Sequence, residues 1–282
     1  MSETTTRRTT ASRSAAAIDA AKARGGAALV GYLPVGFPDV ATSVRAAKTL
    51  VSAGAEVIEL GFPYSDPGMD GEVIQRATQA ALDGGTRTAD VLRAVEQVAQ
   101  TGAAVLVMTY WNPVYHYGVV RFARDLASAG GAGLITPDLI PDEAAEWIAA
   151  SDAHDLDRVF LVAPSSTDAR LRMTSEACRG FVYAASTMGV TGARASVDSH
   201  ARGLVERTRA AGAERVCVGL GVSTGEQAAE IAEYADGVIV GSAFVRTLAR
   251  ADRDVEAGLR DLAALGEQLA AGAHGALTDR SA

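Results

Sequence analysis

The chain has 282 residues, 48% of them hydrophobic, and a formal net charge of −8. That composition supports a sizeable core in one large domain or two small ones, and the acidic balance argues against nonspecific binding to nucleic acid or anionic membranes as the main role. Cys178 and Cys217 form no CxxC pair and read as buried thiols, and no run of eighteen apolar residues marks a membrane-spanning helix.

In chain order, residues 1–14 (MSETTTRRTTASRS) are polar, lack the apolar stretch of a secretory signal, and are expected to form a flexible tail on a cytoplasmic protein. Residues 11–24 read as a helix. Eight short apolar runs then recur as expected strands: 27–33 (AALVGYL), 56–61 (EVIELG), 104–110 (AVLVMTY), 131–139 (GAGLITPDL), 158–164 (RVFLVAP), 180–185 (GFVYAA), 215–221 (RVCVGLG) and 236–241 (DGVIVG). Between them lie helical patterns over 40–53, with Val44, Ala47, Leu50 and Val51 on one face, and over 119–129, 142–151, 195–211, 224–234 and 253–270. Ser223 with Glu226 spells a capping box at the start of the 224–234 helix. The end of the chain, 272–282, is expected to be a second flexible tail.

The runs are apolar throughout instead of alternating, as in a parallel sheet covered on both faces. Eight strand–helix units in about 250 residues fit a single (β/α)8 barrel over 15–271, an α/β fold with an extra N-terminal helix. The alternative is an open doubly wound sheet, but no GxGxxG follows the first strand.

The second run leads into ELGFPYSDPGMDGE (59–72), and five carboxylates lie between Glu56 and Glu72. In a barrel, ligands meet the loops at the C-terminal ends of the strands. Glu59 stands among apolar neighbours, and a carboxylate there is costly unless it has a partner or a task. Catalysis and a salt-bridged structural role are its two readings. Asp70 can fold back over the mouth or face water, Asp66 can cap its own turn, and the cluster as a whole is a weak candidate for Mg²⁺. Further on, GLGVS (219–223) and GSA (241–243) each join a strand to a helix, where glycines let backbone amides approach an anion; GVTG (189–192) is a third candidate. Tight strand–helix turns are the structural alternative. Tyr110 and Asn112 after the third strand and Tyr183 in the sixth are placed to point toward the mouth with Trp111 in the wall, and Tyr32 in the first strand joins them; rings and acids together suit a flat, mostly apolar substrate carrying one phosphate.

No HxH or HExxH occurs, so no zinc site is expected, and no GxSxG supports an acyl-transfer triad. The only lysines, Lys22 and Lys48, fall in early helices, which argues against Schiff-base chemistry.

The chain resembles the tryptophan synthase alpha chain family over roughly residues 15 to 271. The resemblance is carried by ELGxPxSDPxxDGxxIQ (59–75), MTYxNPV (108–114), PSS (164–166), YAASxMGVTG (183–192), CVGLGVS (217–223) and GVIVGSAFV (237–245). It implies a (β/α)8 barrel that cleaves indole-3-glycerol phosphate by a retro-aldol step into indole and glyceraldehyde 3-phosphate. Residue by residue, it implies Glu59 and Asp70 as catalytic, and Tyr110, Tyr183 and the loop residue Thr191 at the substrate. For the phosphate it implies Gly192, Gly221, Gly241 and Ser242. It implies no metal and no cofactor on this chain, and a pyridoxal-phosphate-dependent beta chain as partner in an alpha2beta2 heterotetramer. The sequence departs from the family pattern at Phe37, at Gly68, at Glu72 after Asp70-Gly71, and at Asp138-Leu139-Ile140-Pro141. These loops face the partner in the family, so the departures bear on coupling more than on chemistry. A barrel kept only as an activator of its partner, and an isomerase with another small phosphorylated substrate, are the rival readings; indole release from indole-3-glycerol phosphate separates them.

Overall fold

A computed structural model describes residues 11–185, 194–219, 221–250 and 254–275. Eight parallel strands close into a barrel in sequence order, β1 Ala28–Pro34, β2 Val57–Gly61, β3 Ala104–Met108, β4 Gly133–Thr136, β5 Asp157–Val162, β6 Val182–Ala185, β7 Val216–Gly219 and β8 Gly237–Val240, with β8 returning to pair with β1. Each matches an expected run; β1 ends one residue beyond its run, at Pro34, and β5 begins one residue before its run, at Asp157. Helix α1 (Arg13–Ala23) precedes the barrel. Around it lie α2 (Val40–Ser52), α3 (Glu72–Asp83), α4 (Thr88–Ala99), α5 (Trp111–Tyr117), α6 (Val119–Ser128), α7 (Ala145–Ala153), α8 (Asp168–Ala177), α9 (Arg194–Ala210), α10 (Gly225–Ala232), α11 (Ser242–Arg250) and α12 (Val255–Ala273). Helix α1 thus begins two residues before the expected domain start, and α12 ends two residues beyond the expected limit. Among the described residues no helix is long and apolar enough to cross a membrane.

The uniform apolarity of the strands resolves into two cores. One set of side chains, including Ile58, Leu60, Val105 and Val107, packs outward against the helices. The alternate set, including Val30, Val57, Leu106, Ile135, Val159 and Ile239, fills the barrel, joined from below by Ile18 and Ala21 of α1. Period-two alternation is therefore present, but hidden, because both faces are dry. Helix α1 is fixed across the N-terminal end of the barrel by polar bonds to strand starts. Ser14 N and Oγ donate to Asp157 Oδ2 (3.0 and 2.6 Å), Arg215 pairs with Asp19 (2.8 and 2.7 Å), and Lys22 pairs with Asp236 (2.5 Å). The opposite, C-terminal end is left for a site.

Two local readings need correction. The capping box of α10 lies one residue later than expected: Thr224 is the N-cap, its Oγ1 accepting from Gln227 N, while the Gln227 side chain reaches back to the Thr224 amide. Gln at the third helical position serves as well as Glu, so the two overlapping frames cannot be told apart by residue type. The third strand ends at Met108, two residues before the end of its expected run, and Trp111–Tyr117 forms an unexpected helix, α5, with Pro113 in the first turn, where a missing N–H costs nothing.

Candidate active site

Of the five carboxylates between Glu56 and Glu72, the fold turns two toward the mouth of the barrel. Glu56 immediately precedes β2 at the other end, accepting from Leu29 N (2.9 Å) and pairing with Arg24. Asp66 is exposed and accepts from Ser65 Oγ (2.6 Å), and Glu72 opens α3 and pairs with exposed Arg76 (2.5 Å). Glu59 and Asp70 line one cavity of about 250 Å³.

Glu59 sits in the middle of β2, in register with Tyr32 on β1 and Leu106 on β3. Its neighbours Ile58 and Leu60 pack outward, so the pleat sends the carboxyl inward. It is fully buried, and among the described residues neither oxygen has a hydrogen-bond partner. Burial alone pushes its pKa from 4.5 to about 8, so at neutral pH the side chain is predominantly the protonated acid.

Asp70 arrives on the loop from β2 to α3. Burial raises its pKa to about 6, while a hydrogen bond from Tyr110 opposes the rise. Tyr110 Oη also accepts from Met69 N (2.8 Å), and its ring packs against Tyr64 with centroids 5.4 Å apart. Tyr110 therefore stands behind Asp70 and is not itself among the cavity-lining residues. Asn112 is exposed on α5 and is not among them either.

Tyr32 and Tyr183 do line the cavity, and two glycines make room for them. A Cβ on Gly61 would lie 2.3 Å from Tyr32 Oη, and one on Gly219 would lie 2.5 Å from Tyr183 Oη. No side chain fits at either position without displacing a ring. Ile74, Met108, Pro137, Leu161 and Ile239 supply the apolar wall. Sequence reasoning did not single out these five. Met108, Leu161 and Ile239 lie at inward positions of their strands, a signal that uniform apolarity obscured.

At the far side of the cavity lie Gly219, Gly221, Gly241 and Ser242. Ser242 is the first residue of α11, so unpaired amides of that helix's first turn are at hand for an anion. Thr191 and Gly192 lie outside the described residues. Among the described residues no group of three or more His, Cys, Asp or Glu stands where it could hold a metal ion.

Two acids whose pKa values burial raises thus line one cavity with apolar walls, and the start of α11 opens onto the same cavity. That arrangement defines a (β/α)8 enzyme of proton-transfer chemistry acting on a small, largely apolar phosphate ester. Comparison with known proteins specifies the class. The family model for the tryptophan synthase alpha chain matches residues 18–274, and the chain belongs to that family. It is 61% identical to the tryptophan synthase alpha chain of Mycobacterium marinum over 262 residues, 93% of this chain and 95% of that protein. It is 58% identical to that of Bifidobacterium longum, over 94% of this chain and 92% of that protein. Among solved structures, tryptophan synthase from M. tuberculosis, in an open form with BRD0059 bound, superposes with a TM-score of 0.86 at 56% identity, covering 94% of this chain and all of that one. The alpha subunit from Legionella pneumophila gives 0.86 at 30% identity, over 94% of this chain and all of that one.

Proposed function

We propose that Glu59 and Asp70 divide the proton chemistry by which this chain, as an alpha chain of tryptophan synthase, cleaves indole-3-glycerol phosphate into indole and glyceraldehyde 3-phosphate. The indole ring leaves only if its C3 takes up a proton. Glu59, protonated at neutral pH, donates that proton and produces an indolenine cation. Asp70, ionised above about pH 6, accepts a hydrogen bond from the ring N1–H, where the positive charge collects. The Glu59 carboxylate then removes the proton of the glycerol hydroxyl next to C3. The C–C electrons return to the ring, the hydroxyl carbon becomes the aldehyde, and Glu59 regains its proton. Gly221, Gly241 and Ser242, together with Gly192, hold the phosphate. Tyr32 and Tyr183 flank the ring, and Thr191 takes part beside them.

The observation that carries this reading is the buried Glu59 carboxyl with no hydrogen-bond partner among the described residues. A glutamate kept for structure would be paired. Glu59→Gln is expected to lower kcat for indole release by at least about 100-fold while the fold survives. Turnover near wild type in the purified variant, free of host enzyme, would remove Glu59 from the mechanism.

The same reading places the chain beside a pyridoxal-phosphate-dependent beta chain in an alpha2beta2 heterotetramer. The family supports it, and so do large apolar side chains exposed near the cavity end: Met69, Tyr115 and Ile140 are 46%, 63% and 40% accessible on the loops and the helix that follow β2, β3 and β4. The chemistry on this chain uses its own side chains, and the cofactor belongs with the partner.

A further inference from the structure

Tyr110 holds Asp70 from the N-terminal boundary of α5, a seven-residue helix without a side-chain cap of its own. The cap comes from the loop after a different strand, β4. Trp111 N, the first amide of α5, donates to both carboxylate oxygens of Asp138, at 2.9 and 3.1 Å. Asp138 lies on the loop between β4 and α7, next to Pro137 of the cavity wall, and is not itself a wall residue. On the other side of Tyr110, Thr109 N donates to Ile135 O (3.1 Å) and extends the β3–β4 ladder by one bond. The backbone on both sides of Tyr110 is thus tied to β4 or its loop. A charged acceptor at a helix N-terminus is one of the stronger local ties available, and here it fixes the amide directly after the functional tyrosine.

We infer that Asp138 is a positioning residue for the cleavage reaction: by capping α5 it sets the place from which Tyr110 holds the Asp70 carboxylate. The inference rests on the roles given to Asp70 and Tyr110 above. Asp138 needs no contact with substrate to act. Its loss frees the first turn of α5 and lets the phenol drift, and misplacement by about 1 Å at a remote support can cost a site much of its rate.

The test uses the full chain carrying Asp138→Ala, Asp138→Asn, Tyr110→Phe, and the double change Asp138→Ala with Tyr110→Phe. Indole release from indole-3-glycerol phosphate is followed between about pH 5 and 9, with melting temperature as a control. Asp138→Ala should lower kcat about tenfold and move the acid limb of kcat/KM to higher pH. The direction follows from the hydrogen bond: Tyr110 stabilises ionised Asp70, so weakening it raises the pH at which Asp70 loses its proton. Tyr32, Tyr183 and Glu59 also face this region, and all are unchanged in the series. Asp138→Asn should recover most of the loss, because an asparagine oxygen caps nearly as well. The double variant should shift the limb no further than Tyr110→Phe does. An unmoved limb in Asp138→Ala beside a moved one in Tyr110→Phe would overturn the inference and leave the parent reading intact. An unmoved limb in Tyr110→Phe would bring down the parent reading itself. Equal damage from Asn and Ala would mean that the charge of Asp138 acts directly, and would also overturn the inference.

Discussion

Replacing Glu59 with glutamine should change stability in a way that depends on pH, because it removes a titrating group from a dry interior and keeps its shape. In the unfolded chain the carboxyl ionises near 4.5; in the barrel it holds its proton to about 8. Below about pH 4.5 both states are protonated and the group imposes no ionisation penalty. Between the two values the unfolded chain releases a proton that the folded one keeps, so stability falls as pH rises. Above about 8 the penalty is complete. At about 1.4 kcal/mol per pH unit it reaches about 3 kcal/mol at pH 7 and about 5 kcal/mol well above pH 8. A glutamine amide in the same place is also without partners, which costs about 1–3 kcal/mol at every pH. Glu59→Gln should therefore be similar to or less stable than the parent near pH 5 and more stable near pH 8, with its melting temperature ahead by on the order of 5 °C there. Urea unfolding at several pH values measures this directly, provided the m-values agree. Two stability curves that run parallel from about pH 5 to 8 would refute the reasoning, because they would mean that Glu59 is ionised in the folded barrel or satisfied by a partner.

The kinetics should carry the same two groups: kcat/KM is expected to be bell-shaped, falling below about pH 6 as Asp70 gains a proton and above about pH 8 as Glu59 loses one. A profile flat across both values would detach these residues from the rate. A Cβ on Gly221 would meet nothing within 4 Å, so Gly221→Asp puts a carboxylate near the proposed phosphate site without a clash, at the cost of backbone strain from φ +68°, a region that aspartate enters more readily than most residues. Calorimetry should find weakened binding of a phosphate-bearing substrate analogue and little change for indole; equal losses for both would point to damage to the barrel. Titrating the beta chain of the same genome into this chain should raise kcat for indole release to a plateau near one-to-one, whereas full activity alone with no complex by light scattering would make it a stand-alone indole producer.

The barrel was legible because each strand is a short β-branched run between helices, and closure follows from counting eight of them. Glu59 was legible for a related reason: a single acid inside VIEL has no cheap explanation. The loop acids were less so. Asp66, Asp70 and Glu72 share a residue type and a glycine-rich setting, and only the path of the chain separates the one that folds over the cavity from the two that face water. Residue pattern says little about such a path, since it is set by contacts with other strands, here Tyr110 at the boundary of α5. The same blindness hid α5. MTYWNPVYHYG contains the aromatic and β-branched residues of a strand, and the acceptor that caps the helix, Asp138, lies 27 residues further on. Helix α3 begins directly after the loop that Asp70 dominates, and its few buried positions, Ala77, Thr78 and Ala81, are small and give a weak apolar stripe.

The two acids differ most in what holds them. Glu59 is fixed by ladders on both sides of β2, so no movement of the loops changes its place in the barrel. Asp70 belongs to a segment whose one tie to the barrel wall described above is Tyr110. Gly68 and Gly71 flank that segment, and a Cβ on either would meet nothing within 4 Å at a φ that other residues adopt. The loop's observed shape does not require glycine at these positions, so what glycine contributes is conformational range. Under the proposed mechanism, turnover scales with the fraction of molecules in which Asp70 is in place, while Glu59 is in position in all of them. A partner docking against Met69 and its neighbours would raise that fraction by ordering the loop. It would increase kcat and leave the basic limb of the pH profile, which belongs to Glu59, where it was.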